Sequence, residues 1–129
     1  MSSEDSDRKV LLVEDEALVA MVAAESLRDM GFDPITVGTG REALKAMARG
    51  DVLSVAVVDV GLPDMRGDTL VQRLRQNAPR MPIILASGYD GADLRRRFQG
   101  DDRLRVLPKP YSEGQLRKTL ADLDLSPAD

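Results

Sequence analysis

Leu53-Ser54-Val55-Ala56-Val57-Val58 runs without a charge into Asp59, and then into Val60-Gly61-Leu62-Pro63-Asp64-Met65-Arg66-Gly67. The apolar half is strand-sized and does not alternate with polar residues, as expected of a parallel strand covered on both faces. The second half is dense in turn formers. Leu53–Val58 therefore reads as a strand, β3, that delivers an acid to its carboxyl end.

The same arrangement recurs on both sides. Val10–Val13 (β1) leads into Glu14-Asp15, Ile83–Ala86 (β4) into Ser87, and Arg103–Leu107 (β5) into Lys109. Pro34–Val37 is a weaker strand, β2, expected to be less central. Between them lie segments of helical period. Val19, Val22, Ala23, Ser26, Leu27 and Met30 outline α1, with Gly31 as its C′ residue. Thr39 caps α2, with Glu42 completing a capping box; Ala43, Leu44 and Met47 face inward and Gly50 ends the helix. Asp68 is the expected cap of α3, whose inner face holds Leu70, Val71 and Leu74. α4 is expected over Asp90–Gln99. Ser112 caps α5, with Leu116, Leu120 and Leu123 as the buried stripe. This βα rhythm predicts a doubly wound (βα)5 sheet of five parallel strands with helices on both faces. Residues 9–123 form the domain. Residues 1–8 read as an acidic N-terminal tail and 124–129 as a C-terminal tail.

Composition narrows the chemistry. Of the 129 residues 43% are hydrophobic but only 3% aromatic, so the core is aliphatic and the methionines serve as filling. The chain has neither Cys nor His, which excludes disulfides, thiolate metal sites, imidazole bases and a histidine phosphodonor within the chain. A net charge of -4 argues against a nucleic-acid binder. Arg95-Arg96-Arg97, without an aromatic platform, reads as a solvated helix face, with a partner-docking surface as the other reading. No apolar run reaches membrane-span length, and Met1–Asp7 lacks the apolar region of a secretory signal. A cytoplasmic protein is expected.

In open α/β sheets ligands bind outside the carboxyl ends of the strands, where the strand order reverses. With the order 2-1-3-4-5, Glu14, Asp15 and Asp59 meet in that crevice. Three carboxylates in one place call for a cation, and an all-oxygen set suits Mg²⁺ or Mn²⁺. Ser87 can donate to a phosphoryl oxygen, and Lys109 can neutralise another as a point charge. These are the parts phosphoryl transfer needs: positioning and charge stabilisation.

Four stretches, LLVEDE, VVDVGLPDMRG, IILASGY and LPKPY, stand in order at four strand ends. With them the chain resembles a response-regulator receiver domain of two-component signalling over roughly Lys9 to Leu123. The resemblance implies the flavodoxin-like receiver fold, with Asp59 as phospho-acceptor and a sensor histidine kinase or histidine phosphotransfer protein as donor. It also implies Asp15 as a direct Mg²⁺ ligand, Glu14 acting through metal-bound water, a Gly61 backbone carbonyl on the metal, phosphate-binding roles for Ser87 and Lys109, and a cis Lys109-Pro110 bond. Many receivers carry Tyr or Phe three residues before the β5 lysine; here the residue is Val106, so an aromatic rotamer switch is excluded. Leu85-Ala86-Ser87-Gly88-Tyr89 is similar to the motif of the FAT GUY group of single-domain receivers, with Leu85 for Phe and Ser87 for Thr. Tyr89 is the candidate switch or shield of the phosphate, and Gly61 leaves the site open to water.

These residues imply a switch or phosphorelay shuttle that catalyses its own modification, not a turnover enzyme on a small molecule. Output is expected through protein contact, at the α4–β5–α5 face. The alternatives are a receiver segment of a hybrid kinase or longer regulator, for which the native-looking start Met1-Ser2-Ser3 mildly disfavours an internal segment but permits a C-terminal output domain, and a pseudo-receiver that acts by binding alone. A phosphatase of the haloacid-dehalogenase type would need a second acid where Gly61 stands.

Overall fold

The computed structural model describes residues 8–88 and 90–125. Five strands, β1 (Lys9–Val13), β2 (Asp33–Val37), β3 (Val55–Asp59), β4 (Ile83–Ser87) and β5 (Leu104–Pro108), form one sheet. All pairs are parallel and the order is β2-β1-β3-β4-β5. The helices are α1 (Ala17–Asp29), α2 (Gly40–Ala48), α3 (Gly67–Asn77), α4 (Gly91–Arg97) and α5 (Glu113–Asp122).

Side chains alternate across a strand, and this divides the core in two. Leu11, Val13, Ala56, Val58, Ile83 and Leu85 meet α2, α3 and α4 through Ala43, Leu70, Leu74 and Leu94. Val10, Leu12, Val55, Val57 and Ile84 meet α1 and α5 through Ala23, Leu27, Leu116 and Leu120. The continuous apolar character of β1, β3 and β4 is thus the requirement of strands packed on both faces. β2, at the sheet edge, is only partly buried.

Several local expectations are corrected. β3 begins at Val55, because Leu53 and Ser54 sit in the approach, where Ser54 N–H donates to the Lys9 carbonyl. β5 runs to Pro108, one residue beyond the expected end. α4 is shorter than Asp90–Gln99 and stops at Arg97. α1 keeps part of its expected stripe: Ala23, Leu27 and Met30 are buried, Ala20 and Ala24 join them, and Val22 is 66% exposed. Small residues allow the helix to lie close on β1, and Leu18, Met21 and Val22 are left outside.

Caps follow the same physics with changed partners. Thr39 accepts from Glu42 N–H as expected, but the Glu42 carboxylate takes the N–H of Gly38, not that of the cap residue. Ser112 and Gln115 complete a capping box on α5. Asp68 does not cap α3. The cap position is Arg66, and Asp68 lies inside the first turn, buried and ion-paired. Gly31, at φ 91°, and Gly50, at φ 85°, end their helices in the left-handed region that favours glycine.

Of the expected tails, Arg8 is described and engaged: its guanidinium lies 4.1 Å from the centroid of the Phe32 ring. Leu125 packs on the α1/α5 side of the core. Residues 1–7 and 126–129 lie outside the described residues.

Candidate functional site

The register sets the site. Val13 pairs with Val58 and Asp59 with Ala86, so Glu14 and Asp59 emerge at neighbouring strand ends. Continuing the alternation of Val55 and Val57 aims Asp59 toward the α1/α5 side. The alternation of Ile83 and Leu85 aims Ser87 toward the α4 side.

Lys109 joins the acids. Its Nζ donates to Asp59 Oδ1 at 3.0 Å and to Glu14 Oε1 at 3.2 Å. Glu14 Oε2 accepts from the Glu16 N–H at 3.1 Å, and the Glu14 N–H donates to the Val37 carbonyl, tying the loop to β2. Glu14 and Asp59 are each 6% exposed, unusual for acids and tolerable because Lys109 and the Glu16 N–H bond both Glu14 oxygens and Asp59 Oδ1. Burial pushes the Glu14 carboxyl up, and the nearby Asp59 charge adds to this against the Glu16 and Lys109 bonds. Burial would lower the Lys109 pKa, but the hydrogen bond and charge of Asp59, with those of Glu14, outweigh it and raise it. Burial raises the Tyr111 phenol, with the Glu14 charge acting in the same direction.

Asp15 stands exposed at the rim. Carboxylate oxygens of Glu14, Asp15 and Asp59 lie within 4.8 Å of one another. Three carboxylates against one ammonium leave an excess of negative charge in an all-oxygen setting. That donor chemistry fits a hard divalent cation. Gly61 follows the strand, and a Cβ on it would stand 3.7 Å from Asp59 Oδ2. The Lys109-Pro110 peptide bond is cis.

Together these features are a strand-end acid, its lysine and an acidic metal-type cluster on a sheet of order 2-1-3-4-5. The family model for the response regulator receiver domain matches residues 10–121. The chain belongs to the response-regulator receiver family. The receiver is 36% identical over 115 residues to the sensor kinase CckA of Brucella abortus, covering 88% of this chain and 12% of that protein. It is 28% identical over 113 residues to the response regulator protein FleR of Pseudomonas aeruginosa, covering 88% of this chain and 24% of FleR. The chain therefore spans a minor part of the curated relatives it matches. Among solved structures, the chemotaxis protein CheY4 of Vibrio cholerae superposes with a TM-score of 0.78 at 29% identity, covering 89% of this chain and 97% of that one.

The receiver's predicted site residues are not all in one group. Glu14, Asp15, Asp59, Gly61 and Lys109 converge. Ser87, buried at the end of β4, instead donates its hydroxyl to Asp90. Tyr89, the candidate switch or shield, lies outside the described residues. Sequence reasoning missed two groups. Asp64, from the loop after β3, accepts from the backbone N–H groups of Gly40 at 2.8 Å and Arg41 at 3.0 Å. It thereby fastens the Gly61 loop to the start of α2, and those two bonds lower its pKa. The second group is the charged set around Asp68. Its partners are up to 29 residues apart, and no local spacing announces them.

Proposed function

We propose that Asp59 accepts a phosphoryl group from a phosphohistidine on a sensor kinase or histidine phosphotransfer protein, and that the modified domain signals by protein contact or relay. The convergence of Asp59, Lys109 and the acid cluster carries this reading. Asp59 Oδ1 is engaged by Lys109, while Oδ2 lies on the side of Gly61, where hydrogen in place of a side chain leaves an approach. The Asp59 carboxylate attacks phosphorus in line. A P–O bond forms as the P–N bond breaks, and the histidine nitrogen takes the electron pair. Lys109 stays beside the reacting carboxylate and offsets charge gathering on the phosphoryl oxygens. Asp15, Asp59, the Gly61 carbonyl and, through water, Glu14 would hold Mg²⁺ or Mn²⁺. When bound, that cation neutralises the carboxylates and draws charge from the phosphoryl oxygens. Water later cleaves the aspartyl phosphate. The protein is modified in each cycle and is not a turnover enzyme on a small substrate.

The donor approaches, in this reading, across α1. Leu18, Met21 and Val22 are 63–75% exposed, and Leu18 and Val22 line a groove of about 660 Å³ that includes Lys109, Pro110 and Tyr111. The downstream partner is assigned to the α4–β5–α5 face, where Arg95, Phe98, Arg105 and Val106 border a smaller groove. The cytoplasm is the compartment such a donor implies; no described helix is long and apolar enough to cross a membrane.

The test is incubation with Mg²⁺ and acetyl phosphate, followed by intact mass. A gain of about 80 Da that disappears in Asp59→Asn, and without Mg²⁺, supports the reading. No gain with acetyl phosphate or with a histidine phosphodonor would favour a pseudo-receiver.

A further inference from the structure

A second set of charged groups lies on the α4 side of the strand ends and takes no part in the transfer just described. Ser87 Oγ donates to Asp90 Oδ1. Arg66 Nη2 donates to Asp90 Oδ2 at 2.8 Å, and Arg66 Nε donates to Asp68 Oδ1 at 2.9 Å. Asp68 Oδ2 accepts from Arg97 Nη1. The contacts lead from the end of β4 to the start of α4, across to the first turn of α3, and back to the last turn of α4.

Asp90 occupies the N-cap position of α4 without capping it. Its backbone, at φ -101° and ψ 31°, is not extended, and its side chain makes no bond to the helix. A capping Asp ordinarily turns its oxygen to the second or third helical N–H. Here one oxygen is committed to Ser87 and the other to Arg66.

A serine hydroxyl has one proton to donate. Given to Asp90, it is withheld from any phosphoryl oxygen on Asp59. We propose that Asp90 is a positioning residue for Ser87. It holds the hydroxyl in the unmodified protein and surrenders it when Asp59 carries a phosphoryl group, and the change passes to α4 through Arg66, Asp68 and Arg97. The inference rests on the reading of Asp59 as the acceptor. It also supplies a two-state element at a sheet edge where Val106, packed on the α4 side of the core, offers no aromatic ring to move.

The test uses the whole chain with Mg²⁺ and beryllium trifluoride as the phosphoryl mimic, with affinity read from the amide resonances of residues 91–97. Acetyl phosphate labelling of the wild type is scored first. Asp90→Ala should bind the mimic about tenfold more tightly, as expected for release of a hydrogen bond to a charged acceptor. Asp90→Asn, which keeps an acceptor oxygen, should gain less. In a Ser87→Ala background the Asp90→Ala gain should vanish, a result that a merely structural role for Asp90 would not produce. A labelled wild type with no gain in Asp90→Ala, or a gain that persists without Ser87, overturns the positioning role while leaving Asp59 as acceptor. A wild type that takes neither label nor mimic overturns the acceptor reading and the positioning role with it.

Discussion

The Asp59 carbonyl oxygen stands 2.3 Å from where a Cβ on Gly67 would be. The Gly67 N–H also donates to the Val60 carbonyl at 2.8 Å, so the first turn of α3 is drawn against the backbone that presents Asp59. That oxygen and the Val60 Cα, 2.7 Å from the same point, are backbone and cannot swing aside. Gly67→Ala should therefore destabilise the protein by about 1–3 kcal/mol and move the Asp59 resonances. Urea unfolding with amide spectra measures both; an unaltered midpoint would show that α3 can withdraw freely.

Lys109 bonds both Asp59 and Glu14 and offsets part of their charge where no metal is bound. Lys109→Met should lower metal-free stability by about 1–3 kcal/mol, because two buried carboxylates lose a charged donor. The same change should tighten Mg²⁺ binding, since a positive charge next to the incoming ion is gone. Calorimetric titration of the two proteins decides this. Weaker Mg²⁺ binding in the variant would mean that Lys109 organises the site more than it repels the cation.

Magnesium should stabilise the fold, because the native site gathers three carboxylates that the unfolded chain keeps apart. At an ion concentration about 100 times the dissociation constant the gain is about 2.7 kcal/mol. Asp15→Asn, at an exposed position, should not lower the metal-free melting temperature, since it relieves carboxylate repulsion, and should lose most of the gain. A full gain in that variant would place the ion elsewhere.

Acid should weaken the protein through Asp68 and Asp101. Burial pushes the Asp101 carboxyl up, but the Arg75 guanidinium, through two bonds at 2.7 and 3.1 Å, together with the Arg103 N–H outweighs this and holds it below the usual 3.8. Asp68 is likewise raised by burial and lowered further by Arg97 and Arg66, ending below 3.8. Folded values below unfolded ones add stability that is complete above about pH 4 and lost as the pH falls through the folded values. Asp101→Asn should accordingly be less stable at pH 7 and show a shallower decline in stability below pH 4. Equal slopes would mean that the Arg75 fork survives protonation.

How far the sequence revealed this molecule depended on the range of the forces involved. β1, β3 and β4 were legible because a strand buried on both faces must be apolar throughout, and their ends carried the site residues with them. The buried face of α1 was read in part: Ala23, Leu27 and Met30 lie inside as expected, but the weight given to Val22 was misplaced. The close approach of helix and sheet adds Ala20 and Ala24 in its place. Asp68 looked like a cap because caps are local, whereas its decisive partner, Arg97, arrives from another helix. Ser87 was placed correctly at its strand end, but its hydroxyl's partner depends on the path of the loop to Asp90, which no residue pattern encodes.

α5 ends beside the beginning of β5, where Arg105 Nη2 reaches the Asp122 carbonyl at 3.5 Å, and β1, parallel to it, begins at the same end of the strands. Both ends of the described chain thus leave from the side opposite the acids. A neighbouring domain can be joined at either end without standing over Asp59. One module can therefore be fitted into differently built signalling proteins, with its chemistry facing outward in each.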